Sequence, residues 1–151
     1  MYQKILVPLD GSEFSECILE HVKAVATGCR VPQVVLLRVI EPWDPQVYDI
    51  PDSFRSDIRK RAQADAEDYL AKAANNMSQE GIAAKTAVIQ GKPAEGILDY
   101  ATKNQVDLIV MSTHGRSGVS RWTFGSVADR VIRQSAVPVL IASPPGCRIS
   151  E

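Results

Sequence analysis

Several common signatures are missing from this 151-residue chain, and each absence removes a class of function. No run of about 20 apolar residues is present, so the chain reads as having no membrane-spanning helix. The opening MYQKILVPLDGS enters a short strand without a long apolar leader, which sets the expectation of a soluble, cytoplasmic protein. Neither charge is in excess. Seventeen Lys and Arg stand against 18 Asp and Glu, for a net charge of −1 and a pI near 6.1. Such a balance gives no global pull toward nucleic acid or an anionic membrane, so any anion site must be local. Cysteine is scarce: Cys17, Cys29 and Cys147 form no CxxC pair and are odd in number. That fits reduced thiols better than a disulfide framework or a zinc cluster. Cys17, in a helical pattern with Ile18 and Val22, reads as a small core residue, and Cys147 lies in the end PPGCRISE, where oxidation between chains is a minor option. The phosphate-loop pattern GxxxxGK[ST] is missing, as are HIGH and SGGxDS, the marks of adenylyl-transferring enzymes.

What is present is an alternation of strand and helix patterns. Strands are expected at Lys4 to Leu9, Gln33 to Ile40, Ala83 to Ile89, Val106 to Met111 and Pro138 to Ala142. Between them fall a helix opened by Ser12-Glu13, a long Ala-rich helix from Phe54 to Glu80 stopped by Gly81, a helix from Ala94 to Lys103 with Pro93 at its first position, and a helix after Gly125-Ser126. That last helix would place Val127, Val131 and Ile132 on one face. Strict alternation implies an α/β fold: an open, doubly wound, five-stranded parallel sheet with right-handed crossovers and helices on both faces. The length suits one domain over residues 1–143, followed by a tail at 144–151.

The most informative stretch is VDLIVMSTHGRSGVSRWTFGSVADRVIRQSAVPVLIAS, from Val106 to Ser143. A long, unperiodic loop rich in Gly and Ser joins a buried strand to a helix start, and such loops usually have a job. Ser126 with Asp129 three residues on reads as an N-cap, leaving backbone N–H groups that could face an anion. In open sheets, ligands bind beyond the carboxyl ends of strands where the winding reverses. If the first and fourth strands are central neighbours, Pro8 to Ser12 and the loop from Ser112 to Ser126 meet there.

These segments resemble the universal stress protein family across essentially the whole chain: KILVPLDGSEFS, VVLLRVIEP, GKPAEGILDYA and the stretch from Val106 to Ala142. The resemblance implies strand order 3-2-1-4-5 and, commonly, a dimer through the last strands, here Val137 to Ile141. Members that bind ATP carry a glycine, two residues, a second glycine, nine residues, and Gly-Ser or Gly-Thr. Gly115, the nine residues after it and Gly125-Ser126 match, while Ser112 stands in place of the first glycine. By this resemblance Pro8, Leu9 and Asp10 would line the adenosine side, with Asp10 accepting from ribose hydroxyls and Val39 touching adenine. Met111 and Ser112 would close the sugar side. Gly115, Arg116, Gly125, Ser126 and Val127 would surround the phosphates of ATP, ADP or AMP. A magnesium ion accompanying those phosphates would find Asp10 as its nearest carboxylate.

Other readings of single residues stand beside these. Asp10 before Gly-Ser also suits a turn or a helix cap. Arg121 has no assigned role, and Arg130 and Arg133 suit an exposed or helix-end position. His114 lies in the loop but lacks a visible orienting partner for catalysis. His21 reads as structural, and Trp43 and Tyr48 as packing residues. The first functional reading is therefore a nucleotide-binding stress-response module that is no enzyme beyond slow ATP hydrolysis. The alternatives are an ATP-hydrolysing enzyme and a nucleotide-free interaction module, the latter resting on Ser112.

Overall fold

The computed structural model describes residues 1–42, 49–113 and 125–143, with residues 13 and 14 traced by backbone alone. Five strands, β1 (Lys4–Pro8), β2 (Gln33–Ile40), β3 (Ala84–Gln90), β4 (Leu108–Ser112) and β5 (Val139–Ala142), form one parallel sheet in the order β3-β2-β1-β4-β5. The helices are α1 (Glu13–Glu16), α2 (Ile18–Gly28), α3 (Asp52–Gln79), α4 (Pro93–Lys103) and α5 (Ser126–Gln134). The expected open, doubly wound α/β architecture and its strand order are both present.

Side-chain alternation along the central strands divides the core in two. Ile5 and Val7 of β1, with Val34 and Leu36 of β2, pack with Ile18 and Val22 of α2 and Leu70 and Met77 of α3. On the opposite face Leu6, Val35, Leu37 and Ile109 pack with Ala94 and Ile97 of α4 and Ala128 and Val131 of α5. Each fully buried aliphatic side chain of this kind contributes about 1.5–3 kcal/mol relative to exposure. Two sheet faces covered by helices explain why β1, β2 and β4 read as nearly continuous apolar runs.

Winding reverses between β1 and β4. The chain adds β2 and β3 to one side of β1, then crosses to the other side for β4 and β5. The carboxyl ends of β1 and β4 are thus neighbours, with Ile5 opposite Leu108 and Leu6 opposite Ile109.

Four local features differ from expectation. The first helix is broken at Cys17 into α1 and α2. β4 starts at Leu108 because Val106 closes the end of α4, its N–H donating to the Ala101 carbonyl at 3.0 Å after Gln105 turns with φ 54°. Ile132 lies off the buried face of α5 and is 41% exposed, whereas Val131 is fully buried. Finally, the expectation of three reduced thiols is corrected at Cys17, which is disulfide-bonded, while Cys29 is a free thiol. No described helix is long and apolar enough to cross a membrane. Trp43, Tyr48, His114, Arg121, Cys147 and the tail at 144–151 lie outside the described residues.

Candidate functional site

The exit of β1 is tied into a compact turn. Leu9 extends the β1–β2 ladder, donating its N–H to the Leu37 carbonyl at 2.9 Å, and its side chain is buried on the α2/α3 face. Asp10 then accepts through Oδ1 from both the Ser12 N–H (2.9 Å) and the Ser12 hydroxyl (2.6 Å). Gly11 between them has φ 85°, a conformation that glycine adopts without penalty. Ser12 in turn caps α1, its Oγ accepting from the Ser15 N–H at 3.2 Å. The Asp10 N–H donates to Ser15 Oγ at 3.3 Å. Asp10 therefore has a structural role in this turn, as its position before Gly-Ser suggested.

The exit of β4 is built differently. Met111 and Ser112 are buried at its end, and the Thr113 N–H donates to the Ala142 carbonyl of β5 at 3.0 Å. The Gly125 N–H donates to the Thr113 carbonyl at 2.8 Å, so α5 begins directly beside the strand end despite the eleven residues at 114–124 between them. Gly125, not Ser126, is the N-cap: it has φ −56° and ψ 151°, and Ser126 is the first residue of the helix. The Ser126-x-x-Asp129 spacing suggested a side-chain cap, but no side chain caps α5, and Asp129 instead pairs with Arg133 at 3.0 Å. The first amides of a helix have no acceptor within it. Here the N–H groups of Ser126 and Val127 also have no acceptor elsewhere among the described residues. Donors of this kind at the positive end of a helix favour an anion.

The third wall comes from β2 and α4. Val39 is partly buried and packs against the α4/α5 core. Gly96 lets α4 approach it: a Cβ at Gly96 would stand 3.1 Å from Val39 Cγ1 and 3.2 Å from Ile89 Cδ1. Sequence reading did not single out Gly96, although its place in GKPAEG, four residues into a helix, was the available signal. Arg130 of α5 pairs with Glu95 of α4 at 3.0 Å, fixing the two helix starts against each other.

Pro8, Leu9, Asp10, Val39, Met111, Ser112, Gly125, Ser126 and Val127 thus all lie at or just beyond the carboxyl ends of β1, β2 and β4 or at the start of α5. Gly115 and Arg116 lie outside the described residues. Among the described residues no group of three or more His, Cys, Asp or Glu side chains could hold a metal ion. Beneath the β1 turn lies Tyr69 of α3. Burial, the nearby Glu16 and the charge of Asp10 push its phenol well above the ordinary 10.0, and its buried hydroxyl has no hydrogen-bond partner among the described residues.

A sequence model described as "Universal stress protein family" matches residues 1–143. The chain belongs to this family. It is 30% identical to universal stress protein MJ0577 of Methanocaldococcus jannaschii, with 93% of this chain and 94% of that protein covered. The solved structure of MJ0577 superposes with a TM-score of 0.84 at 32% identity, covering 95% of this chain and 96% of that one. A universal stress protein of Archaeoglobus fulgidus, solved in complex with dAMP, shares the fold with a TM-score of 0.65 at 24% identity, covering 93% of this chain and 97% of that one.

Proposed function

We propose that this universal stress protein binds an adenine nucleotide, ATP, ADP or AMP, across the carboxyl ends of β2, β1 and β4, and acts in the cytoplasm as a nucleotide-dependent regulatory or interaction module. The observation that carries this reading is the start of α5. Its Ser126 and Val127 amides are held at the strand end by the Gly125–Thr113 hydrogen bond and have no acceptor among the described residues. A phosphate placed there accepts from both amides and lies in the field of the helix. The Gly-Ser that matches the family's ATP-binding pattern, Gly125-Ser126, forms this helix start, and the relative bound to dAMP supports an adenine ligand.

The residues fit such a ligand in role as well as in place. Val39 offers an apolar surface for the base, and Gly125 admits a close approach of ligand to backbone because it has no side chain. Asp10 is fixed by Ser12, which orients its carboxylate for ribose hydroxyls without further ordering. On this reading binding is the function and any turnover is slow. Magnesium accompanying the phosphates would be held mainly by the phosphates themselves, with Asp10 as the protein's carboxylate. The dimer follows the same reading: β5 is an edge strand whose Val139, Leu140 and Ile141 are only partly buried, and a second copy would cover them.

Denaturing the protein purified without added nucleotide and identifying the released small molecule by liquid chromatography and mass spectrometry tests this reading. The expected result is adenine nucleotide near one per chain, or micromolar binding of added ATP by the empty protein. Empty protein that also fails to bind ATP would overturn it in favour of a nucleotide-free interaction module.

A further inference from the structure

Beside the candidate site lies a cleft of about 470 Å³ between the starts of α4 and α5. Ser126 and Val127 form one wall, so the cleft is continuous with the amides assigned to phosphate. The opposite wall is the β3–α4 turn, where Gly91 takes φ 147° and donates its N–H to the Ile40 carbonyl at 3.0 Å. That turn brings Lys92 to the cleft, and Arg130 reaches it from the second turn of α5.

The charges around this cleft are unequal in their commitments. Arg130 is paired with Glu95, and both side chains are about half exposed. Lys92 is exposed and has no ion pair among the described residues. Glu41, at the end of β2, is the one acidic side chain on the wall. Glu95 offsets Arg130, so Lys92 is the cation at this cleft without an ion pair among the described residues, and it stands next to two backbone donors that have no acceptor among them.

Resting on the nucleotide reading above, we propose that this cleft is a phosphoryl subsite, in which Lys92 and Arg130 hold the outermost phosphate of a nucleoside triphosphate whose inner phosphate lies on the Ser126 and Val127 amides. The protein then distinguishes nucleotides by phosphate number. A monophosphate ends at α5, while a triphosphate extends into the cleft and meets both cations. Arg130 can contact the phosphate while still paired, because a guanidinium presents five N–H donors. Glu41 repels an anion on its side of the cleft and directs it toward Lys92.

Affinities of ATP, AMP and tripolyphosphate for the wild type and for Lys92→Met, Arg130→Met and Glu95→Gln, measured by calorimetry, test this. The expected result for Lys92→Met is about a tenfold loss of ATP affinity, the scale of one charge-assisted contact, with AMP changed less than twofold. Glu95→Gln separates ligand contact from helix packing: it breaks the same ion pair as Arg130→Met but leaves the cation. ATP affinity should fall with Arg130→Met and hold or rise with Glu95→Gln. Equal losses in both, or equal changes for ATP and AMP in Lys92→Met, would overturn the subsite while leaving the nucleotide site standing. If the wild type binds tripolyphosphate in a Lys92-dependent way but binds no nucleotide, the anion subsite stands and the nucleotide reading fails. Tripolyphosphate binding that is absent or indifferent to Lys92 would overturn the subsite.

Discussion

The two ends of this sheet use their polar groups in opposite ways. At the amino end of β1, the Asp107 carboxylate accepts from the Gln3 N–H at 2.7 Å and the Lys4 N–H at 3.0 Å, and Lys4 Nζ donates to the Asn104 carbonyl at 2.7 Å. Backbone and side chains there satisfy one another. At the carboxyl end, the Ser126 and Val127 amides at the start of α5 have no acceptor among the described residues, and the cleft opens beside them. The amino end uses its polar groups to hold the fold together, while at the carboxyl end the start of α5 leaves two donors without an acceptor among the described residues. Unsatisfied donors cost stability when buried, so a protein that places them at a solvent-open helix start loses little and leaves them available to the proposed ligand.

Substitutions at the two ends should separate stability from binding. The largest effect is expected for Ser126→Pro, at the first position of α5. Proline is favoured there and Gly125 is already extended, so folding stability should stay within about 0.5 kcal/mol. The variant removes one amide and one hydroxyl, and nucleotide affinity should fall at least about a hundredfold, near 2.7 kcal/mol. Calorimetric titration with ATP measures the loss; retained affinity would detach the site from α5. At the other end, Asp107→Ala removes the acceptor for two backbone donors and should cost about 2 kcal/mol of stability in urea unfolding. The folded fraction should still bind nucleotide normally, and a matching loss of affinity would break the contrast between the ends.

Gly96→Val tests the wall between them. Its Cβ would press on Val39 and Ile89, and such overpacking costs about 1–3 kcal/mol. Adenosine affinity should fall through Val39, and Val39→Ala in the same chain should restore stability by making room. The smallest effect concerns Tyr69. Its folded pKa is raised, so the unfolded chain loses the phenolic proton first, and the resulting stability is complete below about pH 10 and declines above it. Tyr69→Phe should leave stability at pH 7 within about 0.5 kcal/mol, because the hydroxyl it removes has no partner among the described residues, and should remove this alkaline decline. Urea midpoints at pH 7 and pH 10.5 compare the two; a large loss at pH 7 would show that the hydroxyl bonds something.

Much of this contrast is legible in the sequence, because it rests on patterns of period and punctuation. Apolar runs such as ILV in β1 and LIVM in β4 identify strands covered on both faces, and their alternation with helices dictates the parallel order. The positions of Pro93 and Gly81 at helix ends follow from backbone chemistry alone. Capping was harder to read. Ser126-x-x-Asp129 has the composition of a capped start, yet the Gly125 amide is drawn to Thr113 and moves the cap back by one residue. That choice depends on a contact between strand end and helix start, which spacing does not encode. Gly96 escaped notice for the same reason, since only the approach of Val39 from another element explains why a glycine stands inside a helix. The pairing of Cys17 likewise depends on proximity in space.

The most direct test of the site is an ATP titration of the uniformly ¹⁵N-labelled protein followed by amide chemical shifts. The Ser126 and Val127 amide protons should move downfield and saturate as phosphate accepts from them, while those of Gln3 and Lys4, already bonded to Asp107, should stay in place. Saturating shifts elsewhere with Ser126 and Val127 unmoved, or no shifts at millimolar ATP, would contradict it.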